Sequence, residues 1–446
     1  MSQTLPEAAF CGTLPLMRFH LVSLFPEFFD SPLQTALMGR AREQGLVSFS
    51  FHDPRSFSQN KHRHVDDRPY GGGPGMVMQG EPVAAALRSI EQPGRILLLS
   101  PGGRPFTQAW ARELAKESDI TLVCGRYEGL DARLGQLFPL EPVSVGEAVL
   151  NGGETAALAV LEAVSRLVPG FMGKEESGEE ESFSHGLLEY PHYTRPEQLE
   201  GLAVPPVLLG GDHAAIARWR RNEALRTTLA VRPDLLATAP LDANDARQLA
   251  QIPRKSVACN LSFCLLHYPV MLDAKKSGTA SLTNLDIHDI SRISRSYAMG
   301  SFYVATPLED QRHLLEDILR HWTKGVGSKN KPDRAQALDR VCPVPTLGAA
   351  IDHLARTSGQ DVKVVASSAV WPEGKPSPIP VTPATVREWC REGPVLLCLG
   401  TAQGLAPEVL ACCHAQIRPL RFLGYNHLSV RSAAAILADR ILGDFF

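Results

Sequence analysis

Residues 95–124, RILLLSPGGRPFTQAWARELAKESDITLVC, decide the fold class. Arg95–Leu99 and Ile120–Cys124 are short apolar runs, leucine-rich or β-branched, each followed by Ser, Pro or Gly. Such runs suit strands buried on both faces of a parallel sheet. Between them, Thr107–Lys116 has helical spacing. The pattern extends outward, with Phe19–Leu24 reading as a further strand and Glu154–Leu167 as a further helix. This alternation predicts an α/β fold.

Beyond these elements, residues 174–184 (KEESGEEESFS) read as an exposed acidic linker. Helices are expected at His213–Leu229, carrying Arg218, Arg220, Arg221 and Arg226, and at Ala243–Gln251. A second boundary lies near Pro253–Ser256. A new α/β series then begins, with strands at Leu261–Leu266 and Val395–Leu399 and helices at Leu308–Trp322 and Leu428–Leu442. At 446 residues, two or three domains of about 150 residues are expected. The 44% hydrophobic and 21% charged fractions describe an ordinary globular protein. No apolar run reaches the roughly 18 residues of a membrane span. Nine cysteines without a C-x-x-C pair suggest reduced thiols and a cytoplasmic location. With a net charge of −3, any nucleic-acid contact must come from local basic patches.

Residues 60–78 (NKHRHVDDRPYGGGPGMVM) hold four glycines and two prolines that exclude a regular helix or strand. A loop of this kind lets backbone approach a ligand. His62-x-His64-x-Asp66-Asp67 also imitates the start of a binuclear metallohydrolase site. Later strand ends offer no matching set of ligands, so no metal site is expected.

The strip, together with later segments in the same order, resembles the bacterial tRNA (guanine-N1)-methyltransferases, the TrmD family. The segments are Ser23–Glu27, Val65–Met76, Leu99–Pro101, Cys124–Gly129, Gly152–Glu154, Ser165–Gly170, Pro191–Pro196 and Pro205–Leu209. The resemblance covers residues 18–252. It implies a SPOUT α/β domain with a trefoil knot, a small helical domain, and a homodimer whose active site is shared between subunits. It also implies methylation of N1 of guanine 37 in tRNA, with S-adenosylmethionine as donor. The implied boundaries are an extension over 1–17, the SPOUT domain over 18–180, a tRNA-binding helical domain over 181–252 and a linker over 253–257.

Guanine N1 is a poor nucleophile until its proton leaves, so the reaction needs a base and a cation near O6. By resemblance the catalytic arginine is Arg166 and the base is Glu181, where the family carries aspartate. The implied cofactor contacts are Pro101, Gly125, Glu128, Val145, Gly146, Glu147, Ala148, Val149, Leu150, Gly152 and Gly153. Ala148 departs from the family's aromatic. Magnesium beside Glu128 and Glu181 stays open. For RNA, the candidates are Arg68, His192, Tyr193 and Arg195, with Lys61, Arg63 and the arginine-bearing helix.

Residues 258–446 resemble a second, less characterised SPOUT-type RNA methyltransferase domain. The carrying segments are His267–Val270, Thr283–Asp289, Tyr303–Gln311, His321–Trp322, Leu399–Leu405 and Tyr425–Ala433. The implied cofactor residues are Leu399, Gly400, Gly404, Asn426, His427 and Leu428, with Ser429 near the cap of the last helix. Asn284, Asp286, His288, Arg292 and Arg295 are candidates to face substrate. The alternative is a non-catalytic module that binds RNA or dimerises.

Overall fold

The computed structural model describes residues 17–172, 181–252, 257–369, 378–421 and 425–443. The extension before Met17, most of the acidic run 174–184 and linker residues 253–256 lie outside the described residues. The chain divides into two compact units, Met1–Thr228 with Thr238–Pro240, and Leu229–Ala237 with Leu241–Phe446. Residues 181–252, read above as one helical domain, fall on both sides of that division.

The first unit is built on β1 (Met17–Val22), β2 (Val47–His52), β3 (Arg95–Pro105), β4 (Asp119–Cys124) and β5 (Leu140–Ser144). They form one parallel sheet in the order β2-β1-β4-β3-β5. Period-2 alternation sends Phe19, Leu21, Leu97 and Leu122 to one face, where Trp110, Leu114, Val160 and Leu161 cover them. Val22, Ile96 and Val123 face the other way, against Val83, Ala84 and Leu87.

The far end of that second face is polar. Asp119 accepts from Arg18 at 2.6 Å, and His20 lies 2.6 Å from Ser50, which lies 3.1 Å from His52. The Arg18 guanidinium holds the Asp119 carboxyl down to about 2. Sequence reading ended β3 at Leu99, because Ser-Pro-Gly-Gly looks like a turn. The strand instead bulges there and resumes, so that Leu99 and Arg104 both register with Val143.

The second unit holds β6 (Leu261–Leu266), β7 (Phe302–Ala305), β8 (Val341–Val344), β9 (Lys363–Ser367), β10 (Ile379–Val381), β11 (Val395–Gly400) and β12 (Ala415–Ile417). This sheet is also parallel, in the order β8-β7-β6-β11-β9-β12-β10. Ile287, Leu315, Leu338, Val386 and Leu437 from five helices cover one face. Ala350, Leu354 and Val409 cover the other. Both units are therefore α/β with parallel sheets buried on two sides, as the sequence predicts. Among the described residues no helix is long and apolar enough to cross a membrane.

Candidate active site

Three loops at the carboxyl edge of the first sheet meet around one cavity of about 540 Å³. This is where open α/β sheets bind ligands. Each loop is shaped by the strand it leaves. In the β3 bulge, a side chain on Gly103 would put a Cβ 2.3 Å from the Val143 nitrogen, so only glycine fits as the chain turns out toward Pro101. After β4, Gly125 accepts from the Gly153 N–H at 2.9 Å, and a Cβ on Gly153 would sit 2.7 Å from Cys124 Cα. After β5, residues 145–153 complete the wall, leading into the helix Glu154–Ser165.

A buried brace holds these loops in place. Glu154, 1% exposed, accepts from Ser23 Oγ at 2.7 Å and pairs with Arg126 at 2.9 Å. Arg126 also stacks over Phe25 at 4.4 Å and reaches the Asn151 carbonyl. Three separated motifs (Ser23–Glu27, Cys124–Gly129 and Gly152–Glu154) thereby become one network. Beside it, burial and then the Glu154 charge push the Cys124 thiol up, which removes it as a nucleophile.

The glycine-rich strip does not itself line the cavity; it backs the wall. The Glu128 N–H donates to the Met76 carbonyl at 2.9 Å and the Met78 N–H to the Gly129 carbonyl at 2.9 Å. Gly75, at φ +83°, lies so close that a Cβ would be 2.5 Å from Glu128 Oε1. Gly71, Gly72 and Gly73 also have positive φ, and neighbouring Tyr70 is fully exposed.

Of the expected cofactor residues, Pro101, Gly125, Glu128, Val145, Gly146, Ala148, Val149, Leu150, Gly152 and Gly153 line the cavity, and Glu147 does not. Sequence reading missed Tyr127, Leu130, Asp131, Leu140 and Asn151 on the same wall. The Arg133 side chain holds the Asp131 carboxyl down to about 2. The cavity fits an adenosyl ligand: its volume is in the ordinary range for such sites, its glycines expose backbone, and Leu99, Leu130 and Val143 offer apolar cover.

Arg166 and Glu181 come together as an ion pair, the guanidinium donating to the carboxylate. Both are about one-third exposed, and neither is among the residues lining this cavity. Of the expected RNA contacts, Arg68 is exposed on the strip. His192 sits 2.6 Å from Glu189, with its ring 4.8 Å from Tyr190. The Tyr193 ring is 6.1 Å from Trp219, on the arginine-bearing helix His213–Val231. The rings of His62 and His64 are 5.8 Å apart, and no group of three or more His, Cys, Asp or Glu able to hold a metal occurs among the described residues.

In the second unit Leu399 is buried within β11 and Gly400 turns sharply; its Cβ would lie 2.6 Å from the Leu405 nitrogen. Gly404 has φ +113°, and this turn locks to the chain after β6 through Met271 N–H to the Gly404 carbonyl at 2.9 Å. Asn426 donates to the Ala369 carbonyl, and His427 and Leu428 are exposed before Ser429. Ser429 caps the last helix, Val430–Leu442, as expected.

A family model described as tRNA (Guanine-1)-methyltransferase TrmD matches residues 17–238. A protein named tRNA (guanine-N(1)-)-methyltransferase from Nitratidesulfovibrio vulgaris is 60% identical over 96% of this chain and 100% of its own length. The chain belongs to the TrmD family. A relative of the same name from Oleidesulfovibrio alaskensis is 58% identical over the same shares of both chains. One from Geobacter metallireducens is 50% identical over 53% of this chain and 98% of its own. The second half thus accompanies the TrmD part in some relatives and not in others. Residues 260–443 match a second model, described as SAM-dependent RNA methyltransferase.

Proposed function

We propose that the first unit holds S-adenosylmethionine in its cavity and methylates N1 of guanine 37 in tRNA, beside the anticodon. Membership of the TrmD family makes the chain a tRNA (guanine-N1)-methyltransferase that depends on S-adenosylmethionine. The observation carrying the finer reading is that ten expected cofactor residues, from three distant stretches, converge on one cavity. When bound, the cofactor supplies a methyl already activated on a sulfonium. Gly125, Gly146, Gly152 and Gly153 offer backbone groups to it, and Glu128 offers a carboxylate to its cationic end. Glu181 takes the proton from N1, freeing that electron pair for the methyl, and Arg166 stabilises the charge that grows on O6.

The fold proposed for both halves is SPOUT, with a trefoil knot in the cofactor region. Support in the first unit is the interlocking of the 125–131 and 145–153 loops through the Gly125–Gly153 hydrogen bond and the Arg126–Gly152 bridge. The reading keeps 18–180 as the knotted domain, 181–252 as the tRNA-binding domain and 258–446 as a second methyltransferase of its own target. Because Arg166 and Glu181 lie off their own cavity, a homodimer that sets them at the partner's cavity completes the site. His192, Tyr193, Arg195 and Arg68 then contact RNA.

Tritium transfer from labelled cofactor into tRNA, mapped by nuclease digestion, tests this directly. Label elsewhere than guanine 37 overturns the target. Mixing two inactive variants, Gly153→Val and Arg166→Ala, tests the shared site. Random pairing restores about a quarter of wild-type activity if each site draws on both subunits, and none if each chain is self-contained.

A further inference from the structure

The helical face of the second unit carries a concentration of charge opposite to that of the whole chain. Residues 320–334 hold Arg320, Lys324, Lys329, Lys331 and Arg334 against one carboxylate, Asp333, in a protein of net charge −3. Arg320 is paired with Asp317 at 2.9 Å. Among the described residues the other four form no ion pair, and neither do Arg292 and Arg295 on the adjoining helix Asn284–Ser296. All but half-buried Arg334 are exposed.

One of these cations meets an aromatic group. Arg334 lies 4.7 Å over the Trp322 ring. His288 and His321 meet the same ring edge-on at 5.6 Å and 5.2 Å. His288 is held below its ordinary value by burial first, and then by Arg334 and Arg292, against Asp289, which acts the other way. Three helices thus direct like charge to one place, because Ile287, Leu315 and Leu338 pack them side by side on one sheet face. Uncompensated like charge around a half-buried tryptophan is unfavourable by itself, and a polyanion with stacking bases relieves it.

We propose that Arg292, Lys324, Lys331 and Arg334 around Trp322 form a docking surface for an RNA backbone in the second unit. The proposal rests on reading that unit as an RNA methyltransferase. On the Asn284–Ser296 helix, His288 at the Trp322 ring is one residue from Asp289, which pairs with Arg431. The surface grips RNA by phosphates and sets position without reading sequence.

The test uses the full chain and two fluorescent probes, an unmodified tRNA transcript and a 20-nucleotide uridine oligomer, titrated across salt. In the triple variant Lys324→Ala, Lys331→Ala, Arg334→Ala, binding at low salt weakens about 10- to 100-fold and the log–log salt slope shrinks by about 2. The charge-preserving variant Lys324→Arg, Lys331→Arg, Arg334→Lys keeps the wild-type slope. Cross-linking of the oligomer yields a peptide from 320–334. An unchanged slope with an intact circular dichroism spectrum overturns the proposal, as do cross-links confined to the first unit. Competition by polyglutamate equal to that by RNA of the same charge overturns it in favour of an acidic protein. Methyl transfer to the tRNA guanine by the wild-type chain is measured alongside. Failure of that transfer in the wild type would instead sink the function proposed above.

Discussion

At the carboxyl edge of the first sheet, glycines leave open backbone around a cavity, and one buried carboxylate, Glu154, ties Ser23 and Arg126 beneath it. The same edge of the second sheet carries buried and paired charged side chains among the described residues. His267 is wholly buried there with neither ring nitrogen at hydrogen-bond geometry, while Arg431 reaches Asp286 at 3.1 Å and Asp289 at 3.2 Å. Two parallel α/β sheets of different strand order thus carry two kinds of edge, because the fold fixes only where strand ends fall. What the loops place there decides whether backbone or side chains meet a ligand.

The contrast can be broken first at Glu154. Glu154→Gln leaves Arg126 without its buried counter-charge and lowers the stability of the first unit by about 3–5 kcal/mol. Calorimetry should show that unit's transition falling while the other holds; a common shift would mean that the brace is not local. Arg166→Ala is expected to lower kcat by about 10²–10³, or about 3–4 kcal/mol. Cofactor affinity, read by titration calorimetry, stays nearly unchanged because Arg166 does not line its own chain's cavity and is proposed to act on guanine O6. A parallel loss of affinity would put it in the pocket.

The third effect belongs to the other edge. Burial, outweighing Asp286 and the Leu265 carbonyl, pushes His267 down to about 4. The unfolded chain therefore binds the proton more readily. This part of the second unit's stability is complete above about pH 6.5 and is lost as pH falls toward 4, by about 3 kcal/mol. Acid titration followed by near-ultraviolet dichroism should show the second unit yielding first, and His267→Gln should remove that lead. The smallest change is Ser429→Ala, which deletes the cap of the last helix and costs about 1 kcal/mol. Thermal melting that shows no shift would mean that the cap is replaced by another group.

Much of the fold was legible because contiguous apolar runs have few outlets other than a doubly covered sheet. Leu261–Leu266 and Ala243–Gln251 form as read. β2, VSFSFH, alternates as a half-buried strand does but lacks the contiguous apolar run of its neighbours and so was missed, and its Ser50 and His52 belong to the polar chain of Asp119 and His20. The cavity wall was legible through its glycines. Asp131 and Leu140 were not, since nothing local marks a residue that merely faces a gap made by others. Of the face proposed for RNA in the second unit, the sequence offered only Arg292, among the candidates Asn284, Asp286, His288, Arg292 and Arg295. The contribution of Lys324, Lys331 and Arg334 depends on which helices lie side by side.

By itself the sequence determined the α/β class of both halves, the family of the first, and the motifs that carry its chemistry. Those properties reside in local periodicity and in short residue patterns. The tertiary structure decided what the glycine strip at 65–78 does. Its glycines, with their wide conformational freedom, let the chain fold back against Glu128 and Gly129 and support the cavity from outside. It also decided that Ser23, Arg126 and Glu154, up to 131 residues apart in sequence, share one buried charge network. Burial and pairing at such separations arise only when the strands have taken their places in the sheet.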